Sequence, residues 1–384
     1  MTAPGHFTVV YLVTSSISAR FFDGQLAYIQ AQGFDVVVGC GVTQHAAQTP
    51  FDAGVKVVDL GFTRSVSPLR DLVAIGRTIR MLRRVRPAIV NYSTPKAALL
   101  GALAAKLAGV PTRVYVVRGL RYQTMTGWPR RVLTAFERLI CKLSTVVVMN
   151  SRSVIEAAAT DGIVDAGRCQ ILHHGSGNGI AFDALPTVDR DQSRVELGLQ
   201  PDSFVLGFVG RLTRDKGISD ILEAMGRLDS DSELNIELVL AGDYELGDPV
   251  ADSVRQSIAA HPRVHHLGWV KDPSVVHAAM DVLAFPSYRE GLPNVVLEAQ
   301  LRGKPVVGYR ATGTVDAMLE GTTGLLVDIG DVGALSSAIA VLVKDPELCD
   351  RLGRAGREFV RTHFAQTDVW GDLAGLYRRS LAET

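Results

Sequence analysis

The residues best suited to chemistry are two glutamates and two cations. Glu290 and Glu298 bracket the stretch "EGLPNVVLE", with seven residues between them and Gly291, Leu292, Pro293 and Asn294 directly behind the first. Pro293 suits the first turn of a helix, where its missing N–H is not needed. A helix starting there aims unpaired backbone N–H groups forward, a natural seat for phosphate oxygens. Glu298 falls about one and a half turns further on. If that helix runs past a nucleotide, Glu290 can accept hydrogen bonds from sugar hydroxyls and Glu298 from ribose hydroxyls, and the spacing then measures the distance between the two sugars of a nucleotide-sugar. Without context, the same pair reads equally well as a loop charge and a solvated helix position.

The cations come from "GFVGRLTRDKG", residues 207–217. Gly207 and Gly210 close an apolar run, and Arg211 and Lys216 occupy the turn after it. Arg offers a planar fork of donors and Lys a compact charge, a combination that suits a diphosphate. Cations aimed at a departing diphosphate lower its barrier, typically by a few kcal/mol per group. Alone, the two are also compatible with ordinary surface charge. Competing chemistries lack their signatures. No GxGxxG follows the first apolar run and no GxxxxGK[ST] occurs, which disfavours a dehydrogenase and a P-loop enzyme. Cys40, Cys141, Cys169 and Cys349 are scattered, with no CxxC and no Cys/His cluster, as expected of reduced thiols in a cytosolic protein without a zinc site.

Positioning these groups falls to short β-branched runs that alternate with helix-length segments, twice over. Strands are expected at 7–13, 34–40, 55–60, 88–93, 112–117 and 145–150, then at 203–210, 236–242, 264–269, 282–287, 305–309 and 324–328. Helices are expected at 69–84, 95–108, 128–142, 217–228, 293–303, 331–343 and 366–384. Continuous apolar strands are buried on both faces, as in parallel sheets flanked by helices. The fold class is therefore α/β, with two facing, doubly wound, Rossmann-like domains and a ligand cleft at the carboxyl ends of their strands. The domains are placed at 1–180 and 181–365, joined through a Gly/Asp/Ser-rich stretch near His173 and His174, to which structural roles are given.

The zero net charge hides an asymmetry. Residues 1–180 hold 20 Lys+Arg against 9 Asp+Glu, and residues 181–384 hold 20 against 31. "RTIRMLRRVRP" places Arg77, Arg80 and Arg84 on one helix face, with Arg83 and Arg86 beside them, and Arg64, Arg70, Arg130 and Arg131 add to the excess. This is either a solvated face or an attraction to anionic lipid or a diphosphate-bearing acceptor. Nucleic acid is disfavoured, since no aromatic-interleaved basic platform occurs. The first apolar run is too short and lacks the basic flank of a signal peptide, and no run reaches the roughly 18 apolar residues of a membrane span, so no integral membrane protein is expected.

Taken together, "GRLTRDKG", "HHLGWV", "FPSYREGLPNVVLEAQLRGKPVV" and "EGTTGLLVD" resemble the retaining glycosyltransferases of family GT4, which have the GT-B fold. Glu290 and Glu298 match that family's E-x7-E signature, and "GSGNGIAFD" resembles the linker of its bacterial polysaccharide and lipid-linked-oligosaccharide members. The resemblance implies that Arg211 and Lys216, after Gly210, bind the donor diphosphate. Glu290 would hold the donor sugar and Glu298 the ribose. Backbone groups around Gly291, Leu292, Pro293 and Asn294 would meet phosphate or sugar, and the loop at Val270 would border a uracil base. It also implies that 366–384 is a helix crossing back onto the first domain, that 1–180 serves the acceptor and that 181–365 binds the nucleotide-sugar. The activity implied is transfer from a UDP-sugar with retention, by a front-face route in which the departing diphosphate helps deprotonate the acceptor, with no cofactor and no metal.

Two departures stand out. Where many members have a glycine-rich turn after the first strand, this chain has "TSSISARFFDG", whose Ser15, Ser16 and Ser18 can donate hydrogen bonds. Where many have a histidine after the fifth strand, it has Arg118, and Arg118, Arg121 and Tyr122 either bind acceptor phosphate or donor sugar or brace a loop. The linker and the basic first half favour a lipid-linked glycan acceptor at the inner membrane face, as in capsule or O-antigen assembly. A soluble acceptor, a sucrose- or trehalose-type synthase, a UDP-sugar epimerase of the same fold and a non-catalytic nucleotide-sugar binder are the alternatives.

Overall fold

The computed structural model describes residues 7–42, 54–63, 65, 67–182, 186–229, 234–245 and 247–383. Arg64 of the basic excess and Asp183 at the end of the linker stretch lie outside them. The chain divides into two compact units, one formed by the residues up to Gly179 together with those from Gln366 onward, the other by Ile180–Ala365.

The first unit is built on seven parallel strands: β1 (Phe7–Ser15), β2 (Phe34–Gly41), β3 (Lys56–Asp59), β4 (Ile89–Tyr92), β5 (Thr112–Val117), β6 (Val146–Met149) and β7 (Cys169–Gln170), in the order β3-β2-β1-β4-β5-β6-β7. Alternation along β1 sends its side chains to two cores. Val10 and Leu12 pack under α2 (Pro68–Val85), α3 (Pro95–Ala108), α4 (Gly127–Leu143) and α5 (Arg152–Thr160). Val9, Tyr11 and Val13 pack under α1 (Gln25–Ala31) and the last helix, here called α13 (Gln366–Ala382), which contributes Val369, Leu373, Leu376 and Tyr377. The Tyr377 hydroxyl accepts from Asn91 Nδ2 at 2.7 Å and donates to the Tyr11 hydroxyl at 3.0 Å. The final helix is thus part of the first unit's core.

The second unit has six parallel strands: β8 (Phe204–Val209), β9 (Ile236–Ala241), β10 (Val264–Gly268), β11 (Val282–Phe285), β12 (Val306–Tyr309) and β13 (Gly324–Val327), in the order β10-β9-β8-β11-β12-β13. One face is covered by α7 (Ile218–Leu228), α8 (Asp252–Ala260) and α11 (Val332–Lys344). The other is covered by α9 (Ser274–Ala279), α10 (Asn294–Leu301) and α12 (Pro346–His363), while α6 (Arg190–Glu196) leads into β8. The expected strands are all present within two residues, because runs buried on both faces announce themselves. β7 is an addition: two residues at a sheet edge carry no pattern to read. Among the described residues no helix is long and apolar enough to cross a membrane.

One buried charge in the first unit stands apart. On α4, Glu137 is buried and its Oε2 accepts from the Tyr115 hydroxyl at 2.7 Å. Burial pushes its carboxyl up to about 7, with the Tyr115 hydrogen bond pulling the other way. A carboxyl whose folded-state value is raised favours the native state below its unfolded value of 4.5 and loses that contribution as pH climbs through about 7. The loss is on the order of 3 kcal/mol. Glu137→Gln keeps an acceptor for Tyr115 and removes the charge. Thermal unfolding should show the variant more stable than the parent at pH 8 and equal to it at pH 5; parallel profiles would contradict this account.

Candidate active site

In the second unit the chain order reverses between β8 and β11, so the loops after these neighbouring strands open a crevice at their carboxyl ends. Arg211 stands directly after β8, exposed, in an ion pair with Glu245 from the loop after β9. A 3-10 turn, Arg214–Lys216, follows, and Gly217 turns the chain into α7. Gly217 has φ +68°, and a Cβ there would lie 2.2 Å from the carbonyl oxygen of Pro286. Only glycine lets the loops after β8 and β11 approach this closely.

Two adjacent ion pairs then fasten these loops together. Lys216 Nζ pairs with Glu290 Oε1, both side chains about 15% exposed (14% and 15%). One residue back in each loop, Arg289 Nη2 lies 2.7 Å from Asp215 Oδ2. Ser287 Oγ donates to the same Glu290 oxygen at 2.8 Å, and the Glu290 N–H is held by the carbonyl of Thr312 at 2.8 Å. Burial works against the Asp215 charge. The hydrogen bond from Thr213 Oγ1 at 2.6 Å and the charges of Arg289, Lys216 and Arg211 outweigh it and hold the carboxyl below its usual range. A third carboxylate, Asp220 on α7, accepts from both Tyr288 and Tyr309 hydroxyls, at 2.8 and 2.7 Å, and so anchors the loop from beneath.

Past Glu290 the chain is buried at Gly291, Leu292 and Pro293, and α10 begins at Asn294, exposed, with Pro293 as its capping position. The helix is shorter at both ends than expected, so Pro293 stands just outside it. Glu298 is mostly buried on α10, not a solvated helix position. Burial raises its carboxyl above the usual range, opposed by Arg302 one turn on. Val270, after β10, packs against the core under α9 and α10. The structure thus brings Arg211, Lys216 and Glu290 to one crevice edge, while Glu298 lies deeper along the helix. Sequence reasoning missed Thr213, Asp215, Asp220, Glu245 and Arg289. Asp215 and Arg289 carried a faint signal, each adjoining a chosen residue with the opposite charge.

In the first unit, Ser16 is buried at the start of a 3-10 turn, Ser16–Phe22. Arg118, directly after β5, stacks its guanidinium 4.6 Å from the Phe21 ring centre. Arg121 is exposed, but Tyr122 is fully buried in the core under α4, beneath Arg130. Tyr122 therefore offers no surface to an acceptor: its ring is a packing element, because the turn at 121–124 points it inward. His173 is held by the hydrogen bond its backbone N–H donates to Asp372 at 2.7 Å. Among the described residues no three His, Cys, Asp or Glu side chains form a metal-binding group.

Residues 18–175 match the family described as Glycosyl transferase 4-like domain, and residues 189–359 match Glycosyl transferases group 1. A capsular polysaccharide biosynthesis glycosyltransferase of Staphylococcus aureus is 30% identical over 376 residues, 98% of each chain. This chain belongs to the glycosyltransferases of the GT-B, GT4 type. A UDP-Gal:alpha-D-GlcNAc-diphosphoundecaprenol alpha-1,3-galactosyltransferase of Escherichia coli is 26% identical over 74% of both chains. The Anabaena HepE structure in complex with UDP and glucose superposes with a TM-score of 0.77 at 21% identity, covering 97% of this chain and 99% of that one, which establishes the shared GT-B fold.

The glycosyltransferase's Lys216–Glu290 pair can be checked by a double-mutant cycle. Lys216→Met leaves a mostly buried carboxylate without its cation and should cost about 1–2 kcal/mol of stability, and adding Glu290→Gln should restore most of it. Additive denaturation midpoints would mean that the pair does not form.

Proposed function

We propose that this glycosyltransferase moves a sugar from a UDP-sugar to a hydroxyl of a lipid-linked glycan, with retention of anomeric configuration. The observation that carries the reading is the convergence of Arg211, Lys216 and Glu290 at the switch point of the second sheet. A diphosphate in that crevice would draw Arg211 from Glu245 and share Lys216 with Glu290. As the bond from the anomeric carbon to the diphosphate oxygen breaks, the two cations would stabilise the departing UDP. The acceptor hydroxyl would attack from the same face and give its proton to a diphosphate oxygen. Glu290 would orient the sugar through its hydroxyls, and Glu298 would accept from the ribose. The substrates in the name of the Escherichia coli relative, UDP-Gal and a diphosphoundecaprenol-linked sugar, support both ends of this reading. No cofactor is assigned a part in it.

Arg211→Ala and Lys216→Ala should each lower turnover by about 10²- to 10³-fold while leaving the unfolding midpoint within a few degrees of the parent. Among UDP-, GDP- and ADP-sugars, a UDP-sugar should give the largest thermal stabilisation, and NMR of the product should show the donor's anomeric configuration. Preference for another nucleotide, inversion, or near-normal rates in both variants would each refute the corresponding part.

The same reading places the enzyme against an anionic membrane, and two helices of the first unit fit that role. The exposed stripe of α2 begins with Leu69, Leu72 and Val73 and continues with Arg77, Arg80 and Arg84. That of α4 carries Trp128, Val132 and Phe136 beside Arg131 and Lys142. Among the described residues neither helix exposes an unpaired carboxylate: Asp71 pairs with Lys96 and Glu137 is buried. An apolar stripe edged by cations is what an anionic bilayer interface accepts. Vesicles with anionic lipid should co-sediment the protein, neutral ones should not, and Trp128→Ser/Phe136→Ser and Arg80→Glu/Arg84→Glu should each weaken capture at least tenfold. Equal capture by neutral vesicles, or none by anionic ones, would dismiss the membrane reading and leave sugar transfer untouched.

A further inference from the structure

The two glutamates of the second unit are held in opposite ways. Glu290 is paired directly with Lys216, and Ser287 donates to the same oxygen. The Glu298 carboxylate, mostly buried on the second turn of α10, forms no ion pair and accepts no hydrogen bond among the described residues. Desolvation drives such a group toward its neutral form, and burial does raise Glu298 above the usual carboxylate range. A protonated carboxyl keeps less acceptor capacity and turns one oxygen into a donor.

What opposes this is Arg302, four residues further along the chain and so on the same side of the helix. Its guanidinium is fixed in place. Nη2 donates to Ser274 Oγ, at the start of α9, at 2.7 Å, and Nη1 donates to the Pro186 carbonyl at 3.1 Å. Nε is buried without a hydrogen-bond partner, and among the described residues Arg302 forms no ion pair. The cation therefore acts on Glu298 through its field and not by contact. Direct pairing, as at Glu290, takes up a carboxylate oxygen; a cation at a remove stabilises the charge and leaves both oxygens open. The anchor is also informative. The Ser274 N–H donates to Asp272 Oδ1 at 2.9 Å, two residues after Val270. Arg302 thus ties the helix of Glu298 to the segment after β10, the two places assigned to the ribose and the base.

We propose that Arg302 is a positioning residue for the donor nucleoside, anchored on Ser274 and holding Glu298 as a charged carboxylate with both oxygens free for ribose hydroxyls. This rests on the reading that Glu298 accepts from the ribose, and adds the group that keeps it a good acceptor. The other charges around Arg302 do not replace it. Asp272 has the opposite sign and is held below its usual range, chiefly by its hydrogen bonds with Ser274. His277 on α9 is pushed down to about 3 by burial and the Arg302 charge, so it is neutral. Lys304 donates to the Ala278 carbonyl at 3.2 Å and is lowered by burial to about 8. Arg357 on α12 is committed to the carbonyls of Leu301 and Arg302, both at 3.1 Å.

The test measures binding of two probes to the full chain by calorimetry, at pH 6 and pH 8.5. One is UDP; the other is 2′,3′-dideoxy-UDP, which lacks the ribose hydroxyls. The probe diphosphates titrate alike and Lys304 titrates in the presence of either, so the ratio of the two affinities isolates the ribose. The parent should prefer UDP by about tenfold. In Arg302→Gln that preference should fall by about fivefold at pH 6 and return toward the parent's at pH 8.5, because a carboxyl deprived of its cation keeps its proton to higher pH. Arg302→Lys should restore most of the preference at pH 6. Dideoxy-UDP should bind Arg302→Gln and the parent alike, which shows that the site is still folded. A preference unaltered in Arg302→Gln at pH 6, or a loss equal at both pH values and not rescued by lysine, would overturn the role of Arg302 alone. A parent that does not distinguish the probes would refute the ribose role of Glu298 and this proposal with it.

Discussion

Lys216 and Glu290 are 74 residues apart in the chain, and their ion pair is the contact on which the second unit's crevice depends. Strand order brings the loops after β8 and β11 to neighbouring positions, but order alone fixes a loop only to within several ångströms. The adjacent Asp215–Arg289 pair makes the join rigid, because two consecutive residues in each loop are matched in sign with two in the other. Asp215 and Arg289 are the structural half. The Asp215 carboxylate is satisfied inward, by Arg289 on one oxygen and Thr213 on the other. In the proposed transfer, Lys216 and Glu290 are the half that would meet a ligand. Each neutralises the other, so the pair carries little uncompensated charge. A diphosphate competing for Lys216 would release a Glu290 oxygen for a sugar hydroxyl, coupling the two recognition events through one carboxylate.

What was legible in the sequence follows from the range of the interactions. The strands could be read because burial on both faces demands unbroken apolar runs, and α3 could be read to the residue because Pro95 starts it and Gly109, in the left-handed region, stops it. Arg211, Lys216, Glu290 and Glu298 could be read because charge next to a strand end is local information. Their partners could not. Glu245 and Asp220 acquire meaning only when β8, β9 and β11 lie side by side, and Arg289 gave no more than its adjacency to Glu290. Tyr122 had two roles open, binding a ligand or bracing a loop, and its burial fits the second: a single 3-10 turn separates an exposed guanidinium from a fully buried ring.

The two units share an architecture and differ in how they treat charge. Each sheet runs outward in both directions from a central first strand, and each places loops at the carboxyl ends of the strands flanking that reversal. In the second unit those loops are cross-braced by carboxylates: Asp215, Asp220 and Glu290 each hold a partner from another element. In the first unit the corresponding edge has Ser15, Ser93, Arg118 and Asn150 and no carboxylate pairing with the guanidinium among the described residues. Composition reported only the sum of this difference, a basic half and an acidic half. The structure shows that acid in the second unit serves to hold cations in place, whereas the first unit leaves a cation without its counterion.

That contrast accounts for where local rules fail. Over most of both units propensity, patterning and polar satisfaction agree, as they must for a chain to select one fold. Two of the departures lie at sheet edges. At one, Gly217 takes a conformation that any side chain would strain, so that two loops can touch. At the other, Ser176 accepts that strain without being glycine, and a guanidinium goes without an anion. Neither departure stabilises the fold by itself. Both fall at the carboxyl ends of strands, where a parallel sheet presents its loops to ligands.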